Sequence, residues 1–181
     1  MKARLPLVLF TSLLQIICVV SFAQPQKPAE GTAGKEVVLK AADVTPKLFP
    51  DKVFFRGLVA SVQARNTGGV RYPDEFFVLA GLVDNSGYST GIREKYQAYL
   101  ITEVPIEISG QTLKPGAYGC GFLENNKFIV MDLGANDLFT ASSTKDSEIK
   151  HPVPLQFLSA SEPGKYRFYH GRDYVEFHRV K

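Results

Sequence analysis

The sequence predicts an all-β fold, a single antiparallel β-sandwich or barrel of about eight strands with little helix. Three observations carry this expectation. Short runs rich in Val, Ile, Phe and Tyr alternate with breaks containing Gly, Pro and Asn over most of the chain. Two stretches, 116–133 and 165–178, read as β-hairpins whose pairing sorts apolar side chains onto common faces. The 8 Tyr and 13 Phe, with no Trp, recur in most of the proposed strands, as they would in a sheet core built without disulfides.

Residues 1–23 read as a signal peptide. Lys2 and Arg4 open the segment, an apolar run from Leu5 to Val20 follows, and Ser21-Phe22-Ala23 offers small residues at the two positions that a signal peptidase reads. An uncleaved anchor needs roughly 20 apolar residues, which this run does not reach, and bulky Ile17 ahead of Cys18 does not suit lipidation. The expected location is extracytoplasmic, periplasmic or secreted, with membrane contact during export only. Loss of Lys2 and Arg4 brings the formal charge of +3 toward balance, which argues against a nucleic-acid partner, since that would need a clustered basic face. Residues 24–35, QPQKPAEGTAGK, have the composition of a flexible leader. Residues 36–181 are then expected to form one β-domain with a substantial core.

Within that domain, residues 36–40 read as a first short strand, and the two prolines of Thr45-Pro46-Lys47-Leu48-Phe49-Pro50 impose a turn or a single helical turn. Residues 52–65, KVFFRGLVASVQAR, alternate as one strand. Asn66-Thr67-Gly68-Gly69 reads as a loop by composition, and Tyr72-Pro73-Asp74 as a second break. Residues 75–83, EFFVLAGLV, are continuously apolar and short enough for a strand buried on both faces. After a loop from Asp84 to Gly91, residues 93–108 place Tyr96, Ala98, Leu100, Thr102 and Val104 on one face. A helical start over 93–98 is an alternative for that stretch, and Pro105 marks an edge or a bulge. Ser109-Gly110 and Lys114-Pro115-Gly116 read as turns.

Leu113-Lys114-Pro115-Gly116-Ala117-Tyr118 resembles the L-x-x-G-x-Y element that opens a hairpin in several uncharacterised families of exported bacterial β-proteins. The resemblance covers about residues 105–133 and implies an exported β-domain, with no activity attached. In the hairpin that follows, a two-residue Asn125-Asn126 turn sets Phe122 against Ile129, Cys120 against Met131 and Tyr118 against Leu133, with Gly119 and Gly121 on the other face. Beyond it, Asn136-Asp137 are candidate caps for a short helix through Ala141. His151-Pro152-Val153-Pro154 is extended by its prolines, and residues 155–158 read as a strand. In the last hairpin a Gly171-Arg172 turn pairs His170 with Asp173, Phe168 with Val175 and Tyr166 with Phe177 on one face, and Tyr169 with Tyr174 and Arg167 with Glu176 on the other.

Catalytic motifs are missing from the chain. It has no G-x-S-x-G elbow, no phosphate-binding glycine loop and no H-E-x-x-H. His170, Asp173 and His178 do not converge as metal ligands must, and the pairs Glu103 and Glu107, or Asp132 and Asp137, read as solvent-facing charges at strand margins. Once the signal leaves with Cys18, Cys120 is the sole cysteine and reads either as a nucleophile or as a small apolar core residue. No catalytic residue, cofactor or metal is expected. The glycine face of the hairpin leaves two readings open. Either Gly119 and Gly121, with Tyr118 and Phe122, make room for an apolar ligand, or the glycines admit aromatic side chains of neighbouring segments. The leading functional expectation is an exported, non-catalytic β-domain that binds a protein or cell-envelope component. The alternatives are a carrier of a small apolar ligand in a barrel cavity and an exported hydrolase without a recognisable motif.

Overall fold

The computed structural model describes residues 34–45 and 47–180, so the expected signal peptide, and the leader apart from its last two residues, lie outside the described residues. Strand β1 (Val37–Leu39) leads through a short helix α1 (Ala41–Val44) to β2 (Lys52–Phe55), β3 (Leu58–Arg71) and β4 (Phe77–Val83). Helix α2 (Thr90–Lys95) precedes β5 (Ala98–Thr102), and the hairpin of β6 (Ile106–Ile108) and β7 (Gln111–Leu113) precedes β8 (Gly116–Leu123) and β9 (Lys127–Met131). The chain continues through β10 (Asp137–Ser142), β11 (Thr144–Lys145), β12 (Leu155–Ser159), β13 (Lys165–His170) and β14 (Asp173–Arg179).

All strand pairs are antiparallel, and they form two sheets that do not close into a barrel. The first runs β1-β3-β4-β5-β8-β9-β10, with β2 also on β3; the second runs β12-β13-β14-β6-β7, with β11 on β14. The sandwich expectation holds and the barrel alternative does not. The strand count rises from about eight to fourteen among the described residues, because 52–65 divides into β2 and β3, 93–108 holds both β5 and β6, and stretches read as turn, helix or loop carry β7, β10 and β11.

Three layers result. One apolar cluster lies between the sheets, drawing on Val78, Ala80, Leu100, Cys120, Phe122 and Val130 from the first and on Ile106, Phe157, Phe168, Val175 and Phe177 from the second. The other covers the outer face of the first sheet, where Val44 of α1, Phe49, Val53 and Phe55 around β2, and Ile92 of α2 pack on Leu79, Tyr99, Ile129 and Met131. Strand β4 is therefore buried on both faces, as its unbroken apolar run predicts.

This second cover explains where the structure departs from the sequence reading. The stretch 52–65 is a hairpin, because Arg56 and Gly57 both adopt positive φ (48° and 76°) and form the tight turn that a two-residue loop demands. Apolar alternation continues across that turn and conceals it. Thr67, Gly68 and Gly69 lie inside β3 rather than in a loop, beyond a register shift between Val62 and Thr67. A Cβ on Gly69 would lie 2.3 Å from the Val78 carbonyl oxygen, so these glycines serve close approach and not flexibility. Residues 137–142 are strand, not helix. Asp132 Oδ1 accepts from the backbone of Gly134 (2.8 Å) and Asn136 (2.9 Å), which spends the polar residues on an Asx-type turn before β10 begins.

The β8–β9 hairpin is slipped by one from expectation. Leu123 pairs with Lys127, Gly121 with Ile129, Cys120 with Val130 and Gly119 with Met131, leaving three residues in the loop. Asn125 and Asn126 do adopt positive φ (61° and 54°). A slip by one exchanges the two faces of β9, but both faces are covered by apolar residues here, so polarity did not fix the register. The final hairpin has one face toward the core and the other outward, and its observed register is the expected one throughout, with Arg167 Nε donating to Glu176 Oε1 at 2.9 Å.

Candidate functional site

The four residues singled out around the hairpin do not share a cavity. Gly119 and Gly121 face the outer layer, whereas Tyr118 and Phe122 face the sandwich interior, as period-two alternation along β8 requires. A Cβ on Gly119 would lie 2.4 Å from Phe55 Cε2 and 3.0 Å from Tyr96 Cδ2; one on Gly121 would lie 2.2 Å from the Lys95 carbonyl oxygen. The space beside the glycines is thus filled, and the packing reading replaces the cavity reading at both positions. Tyr118 donates its hydroxyl to the Lys114 carbonyl at 2.9 Å. Phe122 packs against Phe128, Phe168 and His170 at centroid distances of 4.9, 5.7 and 6.0 Å.

Cys120 is fully buried between the sheets, and burial raises its thiol pKa far above the ordinary range. A thiol held protonated in an apolar core is a poor nucleophile. Among the described residues no group of His, Cys, Asp or Glu is arranged to hold a metal ion.

His170 is held mainly neutral. Burial against Phe122 lowers its pKa, and the opposing charge of Asp173 offsets this only in part. The unfolded chain therefore binds a proton at higher pH than the folded one does. This contribution to stability is complete above the unfolded pKa of about 6.5 and is lost as pH falls from there through the lowered folded value. Urea midpoints measured between about pH 7 and pH 5 should fall for the native protein and fall less for His170→Gln; equal slopes would remove His170 from the account.

An open site lies where the sheets meet at one edge. Among the described residues, strand β12 is hydrogen-bonded on one side only, to β13. Strand β1 pairs with β3 only from Gly69 to Arg71, so the β3 residues Arg65 to Thr67 extend past it. Between these edges runs a groove of about 590 Å³. Leu155 and Phe157 of β12 approach the backbone of Gly68, whose Cβ would lie 3.1 Å from Phe157 Cδ2 and 3.6 Å from Leu155 Cδ2. Val38 lines the same groove, and Val153 and Leu158 border it at 42% and 39% exposure. Lys40 and Arg65 line it as well, neither in a salt bridge with a described residue. The lining is apolar with a basic margin, a form that suits recognition better than proton transfer. Sequence reading located the β12 strand and its extended Pro152 and Pro154 approach. Proline beside a strand is a signal of a sheet edge, but the partner edge on β3 was hidden in the stretch read as a loop.

No protein-family model matches this chain, and nothing matches it among the curated proteins or the solved structures.

Proposed function

We propose that the protein is a non-catalytic binding domain that captures an extended segment of a partner protein along the β12 edge groove. The observation that carries this reading is a strand with one unpaired edge bordering an apolar groove. A peptide laid there as an added strand gains main-chain hydrogen bonds from the edge and side-chain contacts from the groove. The volume of about 590 Å³ falls in the range of ligand sites, and Lys40 and Arg65 favour acidic residues in the captured segment. The expected export and the L-x-x-G-x-Y resemblance would place that partner outside the cytoplasm, among secreted or envelope proteins.

The test is selection of displayed peptides on the immobilised protein. Peptides alternating apolar and acidic residues are expected to be enriched and to lose affinity on the order of tenfold or more on Leu158→Lys combined with Val153→Lys. Both side chains are partly exposed, so the variant should melt like the native protein. No enrichment over a blank surface, or peptides indifferent to the double substitution, would sink the proposal. A small apolar ligand carried in this same groove is the competing occupant. Solvent extraction and mass spectrometry of the purified protein distinguish that occupant.

A further inference from the structure

At one end of the sandwich the apolar interior gives way to polar side chains. Val38, Val70, Phe168 and Phe177 belong to or pack on the interior cluster. Glu36, Tyr72, Tyr166 and Arg179 each stand two positions from one of these; Tyr72 and Tyr166 continue the buried faces, and exposed Glu36 and half-buried Arg179 carry them to the rim. Tyr166 donates its hydroxyl to Glu36 Oε2 at 2.5 Å, and Tyr72 meets Tyr166 edge-on with centroids 6.3 Å apart. Arg179 Nη1 reaches both carboxylate oxygens of Asp74, at 2.8 and 2.7 Å, while its guanidinium lies 5.2 Å from the Tyr72 ring centroid.

Tyr72 is the anomaly in this group. It is 1% exposed, and its hydroxyl has no hydrogen-bond partner among the described residues. Burial, reinforced by the charge of Glu36, raises its pKa above the ordinary tyrosine value, so it remains a neutral phenol with one proton to give and lone pairs to receive. A buried hydroxyl left without a partner forgoes the hydrogen bonds it made to water and is destabilising. Tyr72 and Glu36 share the wall of a pocket of about 610 Å³, with Lys165, His178 and Arg179 also in the lining.

Charge matching decides what the pocket would take. Arg179 is neutralised by Asp74, and Lys165 by Glu162 at 2.7 Å. Glu36 has no cationic partner among the described residues and accepts only from the neutral Tyr166 side chain. Glu36 is exposed at the rim of the pocket, where an anion would meet its carboxylate unfavourably and a neutral polyol would gain no charge pairing. A primary ammonium supplies three donors and the missing charge.

We propose that this end pocket binds a small molecule through a primary ammonium group seated between the Glu36 carboxylate and the Tyr72 hydroxyl oxygen. The phenol proton and the remaining donors of Arg179 then face the rest of the ligand. The pocket shares no residue with the edge groove, so either site can fail without the other.

Calorimetric titration with 1,4-diaminobutane, glycylglycine, glucose and acetate tests the site. Saturable binding of an amine, with none of glucose or acetate, is expected at millimolar concentrations. Both Glu36→Gln and Tyr72→Phe should weaken it on the order of tenfold or more. Tyr72→Phe removes a hydroxyl with no protein partner and should melt no lower than the native chain, which separates lost binding from lost folding. Any of four results overturns the proposal: no amine binding, equal binding of acetate or glucose, amine binding unchanged in Glu36→Gln, or a Tyr72→Phe variant that melts lower.

Discussion

Gly121→Ala is expected to destabilise the protein by at least about 3 kcal/mol. The added methyl would lie 2.2 Å from the carbonyl oxygen of Lys95 and 3.0 Å from its carbon, and no rotamer change moves a peptide carbonyl. Neither side can easily retreat. Gln97 Nε2 donates to the Phe122 carbonyl at 2.9 Å, its Oε1 accepts from the Phe122 backbone at 3.0 Å, and its own amide donates to the Cys120 carbonyl at 3.0 Å. These bonds hold the end of α2 against β8 on both sides of Gly121. Gly91→Ala in α2 provides the contrast, since its added methyl meets nothing within 4 Å. Helix propensity alone predicts a gain of about 0.5–1 kcal/mol there. Urea unfolding of the two variants beside the native protein measures both effects, and a Gly121→Ala variant as stable as the native one would refute the close approach.

These glycines also show what the sequence could and could not convey. Gly171 could be read as a turn because it interrupts an alternation whose two sides differ in polarity, and the register followed. Gly57 was read through, because apolar residues continue on both sides of it. Gly68 and Gly69 looked like a loop because glycine pairs usually make one, whereas here they let strands and side chains come close. A sheet covered on one face can be read from polarity; a sheet covered on both offers only size matching between neighbours, and that depends on strand order. The edge groove was legible only in part for the same reason. Its β12 side has local proline signals, while its β3 side is defined by where β1 stops pairing. The end pocket is set by distant residues, since Glu36 and Tyr166 lie 130 positions apart, and no local pattern announces them.

Size matching across the first sheet yields the second large effect. Thr67, Gly81, Tyr99, Gly119 and Met131 form one row across β3, β4, β5, β8 and β9 on the outer face. The room left at Gly81 is shared by Thr67 Cγ2, Val62 Cγ1 and the Phe49 ring, and that at Gly119 is taken by aromatic rings. Phe49 sits over Gly81 and meets Tyr99 edge-on at 6.4 Å. Phe55 sits over Gly119, stacked on Tyr96 at 3.8 Å and edge-on to Tyr88 at 6.1 Å. Phe55 is fully buried, so Phe55→Ala is expected to cost about 3–5 kcal/mol. Gly119→Ala alone should cost about 2 kcal/mol, because its methyl would lie 2.4 Å from the Phe55 ring.

The double variant distinguishes the cause. With the ring gone, the Gly119 methyl enters space the ring had filled, so the double variant should be less destabilised than the sum by at least about 1 kcal/mol. Additivity within about 0.5 kcal/mol would mean that Gly119 is glycine for some other reason than Phe55. Phe55→Ala should give no such rescue of Gly121→Ala, whose obstacle is main chain. Two glycines that look alike in Gly119-Cys120-Gly121 would then separate by experiment, one admitting a ring and the other admitting a backbone.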